Sequence, residues 1–204
     1  MCLYTAGRGR FTNTQNARIS KTNLFFDDRA EFMAILADNI AAIIRKAKRE
    51  GLQPAIRLNG TSDIAWEKIS VVVAGERFRN VMTAFPTVQF YDYTKIAGRK
   101  AAIALPNYHL TFSLAEDNDN DAFTAIREGY NLAVVMNLKK GDDKPVQWAD
   151  YPVVDGDVSD VRFLDPKGGH VVALTAKGEA RKDTSGFVRD SQVSVNVDQL
   201  IARA

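Results

Sequence analysis

The sequence has a single cysteine, two histidines and no long apolar run, and each shortage excludes a class of protein. One cysteine, Cys2, cannot form an internal disulfide, which is typical of a reducing cytoplasm. No apolar stretch approaches the roughly 20 residues that a membrane helix needs. The net charge of +2 over 204 residues is too small to give an overall electrostatic attraction to nucleic acid or to membranes. We therefore expect one soluble, cytoplasmic domain over residues 1–204.

Metal-binding and hydrolytic patterns are weak in this sequence. With only two histidines, a zinc site of nitrogen and sulfur ligands is not expected. Asp155 and Asp157 match no calcium-loop spacing, so turn chemistry is favoured over an oxygen-rich cation site. Ser113, His109 and an aspartate could form a catalytic triad, but no nucleophile-elbow motif accompanies them.

The N-terminal segment is basic. Residues 1–26 carry Arg8, Arg10, Arg18 and Lys21 and no acidic side chain, and the pattern predicts a loop-like segment. Such a segment could contact the backbone of a nucleic acid, and a solvated loop is the alternative.

A long amphipathic helix is predicted after this segment. Asp28 and Glu31 have the spacing of a capping box, and apolar residues then recur at helical spacing through Ile44. Cations crowd the last turns, and Gly51 is the expected stop.

The rest of the chain alternates short strands with helical segments, which predicts an α/β fold with a mainly parallel sheet. Strands are expected at 55–58, 88–94, 108–114, 131–138, 161–164 and 171–175, and helices from about Ile64 and over 121–130. Residues 70–75 fit either a helix extension or an extra strand.

One predicted strand has a polar and an apolar face. His109, Thr111 and Ser113 share one parity, while Leu110 and its apolar neighbours share the other. A strand that is covered on both faces should be apolar throughout. The alternation therefore predicts a partial (β/α) barrel with a polar lumen, and an ordinary sheet with one solvated face is the alternative.

Polar residues also follow the predicted strands, and ligands gather at the carboxyl ends of parallel strands. The predicted ligand-binding residues are Arg57, Asn59, Ser62, Asp63, Tyr91, Tyr93, Lys95, His109, Thr111, Ser113, Arg162, Asp165 and Lys177. Asp63 and Lys95 are the candidates for proton transfer or for charge pairing with a ligand, and His109 is a third catalytic candidate whose alternative role is to orient a ligand. The glycine-containing loop at 59–63 fits either an anion site at a helix N-terminus or simple helix capping.

Several strings along the chain point to a family. They are CLY at 2–4, AGRGRF at 6–11, KT at 21–22, RLNGTSD at 57–63, FYDYTK at 90–95, NYHLTFS at 107–113, GD at 156–157, RFLDP at 162–166 and AKG at 176–178. In this order, over nearly the whole chain, they resemble the bacteriophage gene-product-eighty-eight-like family. Its largely uncharacterised members look like radical S-adenosylmethionine proteins, with a partial barrel and an N-terminal cysteine cluster. The resemblance implies S-adenosylmethionine and a 4Fe-4S cluster as cofactors, with Cys2 matching the last cysteine of the motif.

The sequence departs from the family pattern at its start, because no cysteine precedes Cys2. One thiolate cannot hold a cluster that needs three. We expect that the sequence is truncated or that this version lacks the chemistry, so whether it is an enzyme stays open. The first hypothesis is a radical-enzyme-like barrel in the host cytoplasm. The second is a non-catalytic module that binds a nucleotide-like ligand or a host protein, and the third is nucleic-acid binding through residues 1–26.

Overall fold

The computed structural model describes Gly9 and residues 11–139 and 141–192. They form two compact units, an N-terminal unit that ends at Phe90 and a C-terminal unit that begins at Tyr91. A mixed α/β chain with a mostly parallel, seven-stranded sheet confirms the predicted fold class. Closure into a barrel and a single domain over the whole chain stay predictions.

Two helices open the described chain, and strands and short helices follow. The helices are α1 (Thr12–Asp27), α2 (Arg29–Glu50), α3 (Val81–Ala84), α4 (Lys100–Ile103) and α5 (Asp119–Arg127). The strands are β1 (Ala55–Ile56), β2 (Val71–Val73), β3 (Glu76–Phe78), β4 (Gln89–Thr94), β5 (Tyr108–Ser113), β6 (Asn131–Met136), β7 (Gln147–Trp148), β8 (Tyr151–Asp155) and β9 (Val171–Thr175). The large sheet has the order β1-β4-β5-β6-β9-β8-β7, and β2 and β3 form a separate hairpin. In the described ranges, no helix has both the length and the apolar character to span a membrane.

Helix α2 confirms the prediction made from its capping residues. The Asp28 side chain accepts a hydrogen bond from the backbone N–H of Glu31 at 3.0 Å, which satisfies one of the free donors of the first turn. Gly51 ends the helix with a left-handed backbone at φ 66°. The helix buries Met33 and Ile40, so it is held by packing as well as by its caps, whereas Ile35 and Ile43 of the expected apolar stripe are exposed.

Helix α1 replaces most of the loop predicted over 1–26, and that prediction is wrong for this stretch. Phe25 is the one buried residue of the helix. Its ring packs edge-on against Phe32 at 5.2 Å and against Trp66 at 5.9 Å between centroids. The sequence pattern lacks a helical stripe because α1 is anchored by one aromatic side chain rather than by an amphipathic face.

The helix predicted from Ile64 is also wrong. A single 3₁₀ turn, Trp66–Lys68, leads directly into the β2–β3 hairpin, and residues 70–75 therefore form strand and turn. Ala74 and Gly75 both have positive φ, 51° and 84°, as a two-residue hairpin turn of type I′ requires.

The C-terminal unit contains the parallel core of the sheet. Thr111 of β5 pairs with Asn131 of β6, and Leu132 of β6 pairs with Val171 of β9. Helix α5 packs against β5 and β6 and has a buried apolar face. The strand predicted over 171–175 is confirmed, and β5 and β6 begin at their predicted residues and end one and two residues early. The strand predicted over 161–164 is wrong, and β7 and β8 were not predicted.

A long connection joins β8 to β9, and we call residues 156–170 the crossover segment. β8 and β9 are parallel neighbours, so the chain must return along the sheet between them. The segment contains a 3₁₀ turn, Arg162–Leu164, where a strand was predicted. At Gly156 an added Cβ would lie 2.6 Å from Val172 Cγ1, so the segment begins in close contact with one face of the sheet.

The hairpin turn generates a stability test. Ala74 has a left-handed backbone (φ 51°), which is costly for a residue with an ordinary side chain, whereas Asn tolerates it. We expect Ala74→Asn to raise the free energy of unfolding by about 1 kcal/mol in urea titrations. The control, Ala104→Asn, lies at a right-handed position (φ −77°) and should change stability much less. Equal effects of both substitutions would contradict the assignment of strain to the turn.

Candidate functional site

The predicted ligand-binding residues are divided between the two units. Arg57, Asn59, Ser62 and Asp63 belong to the N-terminal unit, and the remaining nine belong to the C-terminal unit.

In the N-terminal unit, the Asn59 side chain organises its own loop. Asn59 is 2% exposed, and its Oδ1 accepts hydrogen bonds from Ser62 Oγ at 2.9 Å and from Ile64 N and Trp66 Nε1 at 3.0 Å. Its Nδ2 donates to Ile64 O at 3.0 Å, and Arg57 Nε donates to Asn59 O at 3.3 Å. These contacts give Asn59 and Ser62 a structural role, and ligand binding by this loop stays a prediction.

In the C-terminal unit, β5 alternates between a core face and a polar face. Leu110 and Phe112 are buried on the core face, and we call His109, Thr111 and Ser113 the polar face. This alternation agrees with the sequence pattern.

The crossover segment covers the polar face. Paired residues of parallel strands point to the same side, and Val172 pairs with Ala133, which in turn pairs with Ser113. Gly156 lies against Val172 and so belongs to this side of the sheet. The 3₁₀ turn of the segment also packs against β5. The polar face is therefore at least partly buried under irregular chain.

Arg162 is the central group of this layer and is 1% exposed. Its Nη2 donates to Gly156 O at 3.2 Å, and its Nη1 lies 3.3 Å from Asp165 Oδ2. The second contact is an ion pair whose geometry does not make a hydrogen bond. Nε and Nη1 of Arg162 and Oδ2 of Asp165 are buried without any hydrogen-bond partner in the described chain. Such atoms are unusual, because a buried polar atom normally has a partner.

His109 and Thr111 also present buried polar atoms without hydrogen bonds, His109 Nε2 and Thr111 Oγ1. Burial, followed by the positive charges of Arg162 and Lys167, lowers the pKa of His109 to about 4. The imidazole is therefore neutral at neutral pH. We call His109, Thr111, Arg162 and Asp165 the arginine cluster.

The surroundings of the cluster add charge and aromatic surface. Burial raises the pKa of Asp165, against the attraction of Arg162 and His170. Tyr91 and Phe163, both half-buried, meet edge-on with their ring centroids 5.4 Å apart. The layer thus combines a guanidinium with free donors, a neutral imidazole, a hydroxyl and two aromatic rings.

The cluster does not lie where the sequence argument expected a site. His109 is the second residue of β5, near its amino end, and Asp165 lies in the crossover segment rather than after a strand. Of the four residues of the cluster, His109 and Thr111 lie in a strand as predicted, whereas Arg162 and Asp165 lie in the crossover segment, where a strand over 161–164 was predicted. Arg162 was nevertheless among the predicted residues, and the structure brings it together with His109 and Asp165.

A second charged cluster lies after the carboxyl ends of β8 and β9. Asp157 accepts hydrogen bonds from Lys144 Nζ at 2.9 Å, from Lys177 Nζ at 2.8 Å and from the Thr175 N–H at 2.9 Å. Burial opposes ionisation of Asp157, but bonds from Lys177, Thr175 and Lys144 hold its pKa well below the usual range. The hydrogen bond to Asp157 raises the pKa of Lys177. Lys177, although its side chain is 74% exposed, is therefore ion-paired with Asp157.

These contacts bear on cation binding by the aspartates. Two lysines already neutralise Asp157, and the described residues contain no group of three His, Cys, Asp or Glu side chains that could hold a metal ion. The turn interpretation of Asp155 and Asp157 is supported by a local bond, in which the N–H of Asp157 donates to Asp155 Oδ1 at 2.8 Å.

A buried polar group on the core face was missed by the sequence reasoning. Tyr108 OH donates to Asp92 Oδ2 at 3.0 Å and accepts from Arg99 Nη2 at 3.2 Å, and all three residues are at most 4% exposed. Burial, followed by the charge of Asp92, raises the pKa of Tyr108. The signal in the sequence was the position of Asp92, which lies two residues after Phe90 and therefore on the same, buried face of β4.

The remaining predicted residues are more scattered. Tyr93 is half-buried on the same face of β4 as Tyr91, and exposed Lys95 has its Nζ 5.8 Å from the centroid of the Phe187 ring. Cys2, like Arg8 and Arg10, lies outside the described residues. Binding of nucleic acid by the N-terminal segment stays a prediction.

The chain matches a known protein family. A family model with the description Gene product 88 matches residues 1–191. No curated protein and no solved structure matches the chain.

The lowered pKa of His109 predicts a pH effect on stability. Between pH 6.5 and about 4 the unfolded chain binds a proton at His109 that the native protein does not, so the free energy of unfolding falls as the pH falls. We expect His109→Gln to remove this part of the slope in urea titrations across that range. An unchanged slope would show that His109 is not buried as a neutral group.

Asp157 predicts an effect in a more acidic range. Its lowered pKa stabilises the fold above the unfolded value near pH 4, and the stabilisation is lost as the pH falls through the lower native value. We expect Asp157→Asn to unfold more easily than the wild type at neutral pH, with the difference shrinking below about pH 4. Asp117→Asn, at an exposed loop position, is the matched control and should show no such trend.

Proposed function

The chain belongs to the gene product 88 family, and from that premise we propose that it is a phage protein that binds a small, anionic, nucleotide-like ligand at the arginine cluster. The single observation that supports this most is the hydrogen-bonding state of Arg162. Its guanidinium is 1% exposed, yet Nε and Nη1 donate to nothing in the described chain.

Burying a cation whose N–H donors are unpaired costs free energy unless an anion accepts hydrogen bonds from those donors. Removing a guanidinium from water costs several kcal/mol in order of magnitude, and one carboxylate with poor hydrogen-bond geometry offsets this only in part. A phosphate or carboxylate would accept from the guanidinium in the two-point geometry that Arg favours. Asp165, whose pKa is raised by burial, is well suited to release part of its hold on Arg162 when such a ligand binds.

The neighbours of Arg162 suit the remainder of such a ligand. Thr111 Oγ1 can donate to an anionic oxygen, and neutral His109 can donate or accept at Nε2. The rings of Tyr91 and Phe163 offer half-buried aromatic surface on which a planar base could stack. This combination is the reason for naming a nucleotide-like ligand rather than a simple anion.

A radical S-adenosylmethionine barrel is the second candidate, and the parallel pairing of β5, β6, β9 and β8 supports it at the level of fold. The donor set does not fit the cluster: a 4Fe-4S site that keeps one iron open for S-adenosylmethionine needs three thiolates, and the sequence contains one cysteine. We therefore assign no reaction step to this chain.

The first test is thermal unfolding with adenosine monophosphate and, separately, with S-adenosylmethionine. A ligand at about 100 times its Kd should add about 2.7 kcal/mol of stability, which a melting curve resolves. We expect adenosine monophosphate to raise the Tm. Stabilisation by S-adenosylmethionine alone would favour the second candidate, and no shift with either ligand would overturn both.

Thr111→Val tests the location of the site. Thr111 is 0% exposed and its hydroxyl has no hydrogen-bond partner, so its replacement by an isostere should leave the ligand-free Tm unchanged or higher. The same substitution should weaken adenosine monophosphate about tenfold, because one hydrogen bond to a charged group is lost. Thr124→Val, on the exposed side of α5, should alter neither ligand affinity nor its salt dependence.

Arg162→Lys supplies an independent check, since it keeps the charge beside Asp165 and removes the two-point donor geometry. Ligand affinity should fall in this variant while Arg127→Lys, on the surface of α5, binds like the wild type. Full affinity in both Thr111→Val and Arg162→Lys would place the ligand elsewhere.

A further inference from the structure

The N-terminal unit contains a cavity of about 440 Å³ beside the first turns of α2. One wall is the α2 surface formed by Ala30, Met33 and Ala34, and the other is formed by Ile69, which follows the 3₁₀ turn, and by Val71 at the start of β2. The volume is within the range of roughly 300–1,000 Å³ that small-molecule sites occupy. None of the residues of the arginine cluster lines it.

The charge of the lining is of one sign. Arg29, Lys68 and Arg77 line the cavity, and no acidic residue does. Arg29 Nε donates to the Phe25 carbonyl at 3.5 Å and its guanidinium lies 4.5 Å from the Phe25 ring centroid, so a neutral group orients it. Arg77 Nη1 donates to the neutral Ser70 Oγ at 3.2 Å. In the described chain, the three cations thus face the cavity without a neutralising carboxylate.

The shape and charge together select one class of ligand. The apolar walls would bury a hydrocarbon body, and the cations at Arg29, Lys68 and Arg77 would hold an anionic head. We propose that this cavity binds a small amphiphilic anion, a carboxylate or sulfonate with a short apolar body. The site is separate from the arginine cluster, and the proposal does not rest on the function proposed above.

The test uses octanoate as the probe and the full-length, isotope-labelled protein. Titration followed by amide chemical shifts should give saturable changes centred on residues 30–34 and 69–72. Octylammonium, which has the same chain and the opposite charge, should not saturate these shifts. Absence of saturable shifts with octanoate, or equal binding of the two probes, would overturn the proposal.

Variants distinguish charge recognition from nonspecific apolar binding. The double substitution Lys68→Gln with Arg77→Gln should weaken octanoate about tenfold or more, because two cations are lost from exposed positions that do not hold the core. Arg45→Gln with Lys48→Gln, which makes the same charge change near the other end of α2, should leave the affinity unchanged. Equal affinity in the two double variants would reject a role for these cations.

Anionic surfaces are the alternative occupant, and vesicles test it. Cosedimentation with phosphatidylglycerol vesicles in the absence of octanoate binding would assign the basic rim to a membrane surface and overturn the small-molecule site. Octanoate binding that is lost in the Lys68 and Arg77 double variant, with no cosedimentation, is the result expected.

Discussion

The parallel pairing of β8 with β9 is the constraint on which the C-terminal unit depends. Neighbouring parallel strands cannot be joined by a tight turn, so residues 156–170 must run back along the sheet. A helix usually fills this role, and here an irregular segment with one 3₁₀ turn does so. Because such a segment satisfies few of its own backbone groups, side chains from the sheet and from the segment itself must fix it.

The fixed points of the crossover segment are polar. At its start, the Asp157 carboxylate is held by Lys144 and Lys177. At its end, Asn131 Nδ2 donates to Pro166 O at 2.7 Å and Asn131 Oδ1 accepts from the His170 N–H at 3.2 Å. Between these points Arg162 is buried, and its Nε and Nη1 have no hydrogen-bond partner in the described chain. A segment held firmly at both ends can keep a cation in a position that is unfavourable without an anion, and this pre-organisation is what ligand sites require.

The N-terminal unit shows the same use of one side chain to shape irregular chain. The Asn59 amide engages three donors and one acceptor of its loop and so fixes the approach to Trp66, whose ring meets Phe25 of α1. The loop at 59–63, which the sequence predicted to bind a ligand, therefore has a structural role through the hydrogen bonds of Asn59. The cavity beside α2 depends on the same arrangement, because the residues after Trp66 form one of its walls.

Local chemistry determined much of this protein from the sequence alone: the α2 caps at Asp28 and Gly51, the strand over 171–175, and the polar and apolar parities of β5. These features depend on neighbours within a few residues, and they are read directly from spacing. Only the tertiary structure decided the rest. Helix α1 is anchored through Phe25, whose ring packs against Phe32 and the more distant Trp66. Arg162 acts electrostatically on His109 because the crossover segment must traverse the sheet. Contacts between residues far apart in sequence leave no periodic trace, so no pattern in the chain could have placed that buried cation beside the polar face of β5.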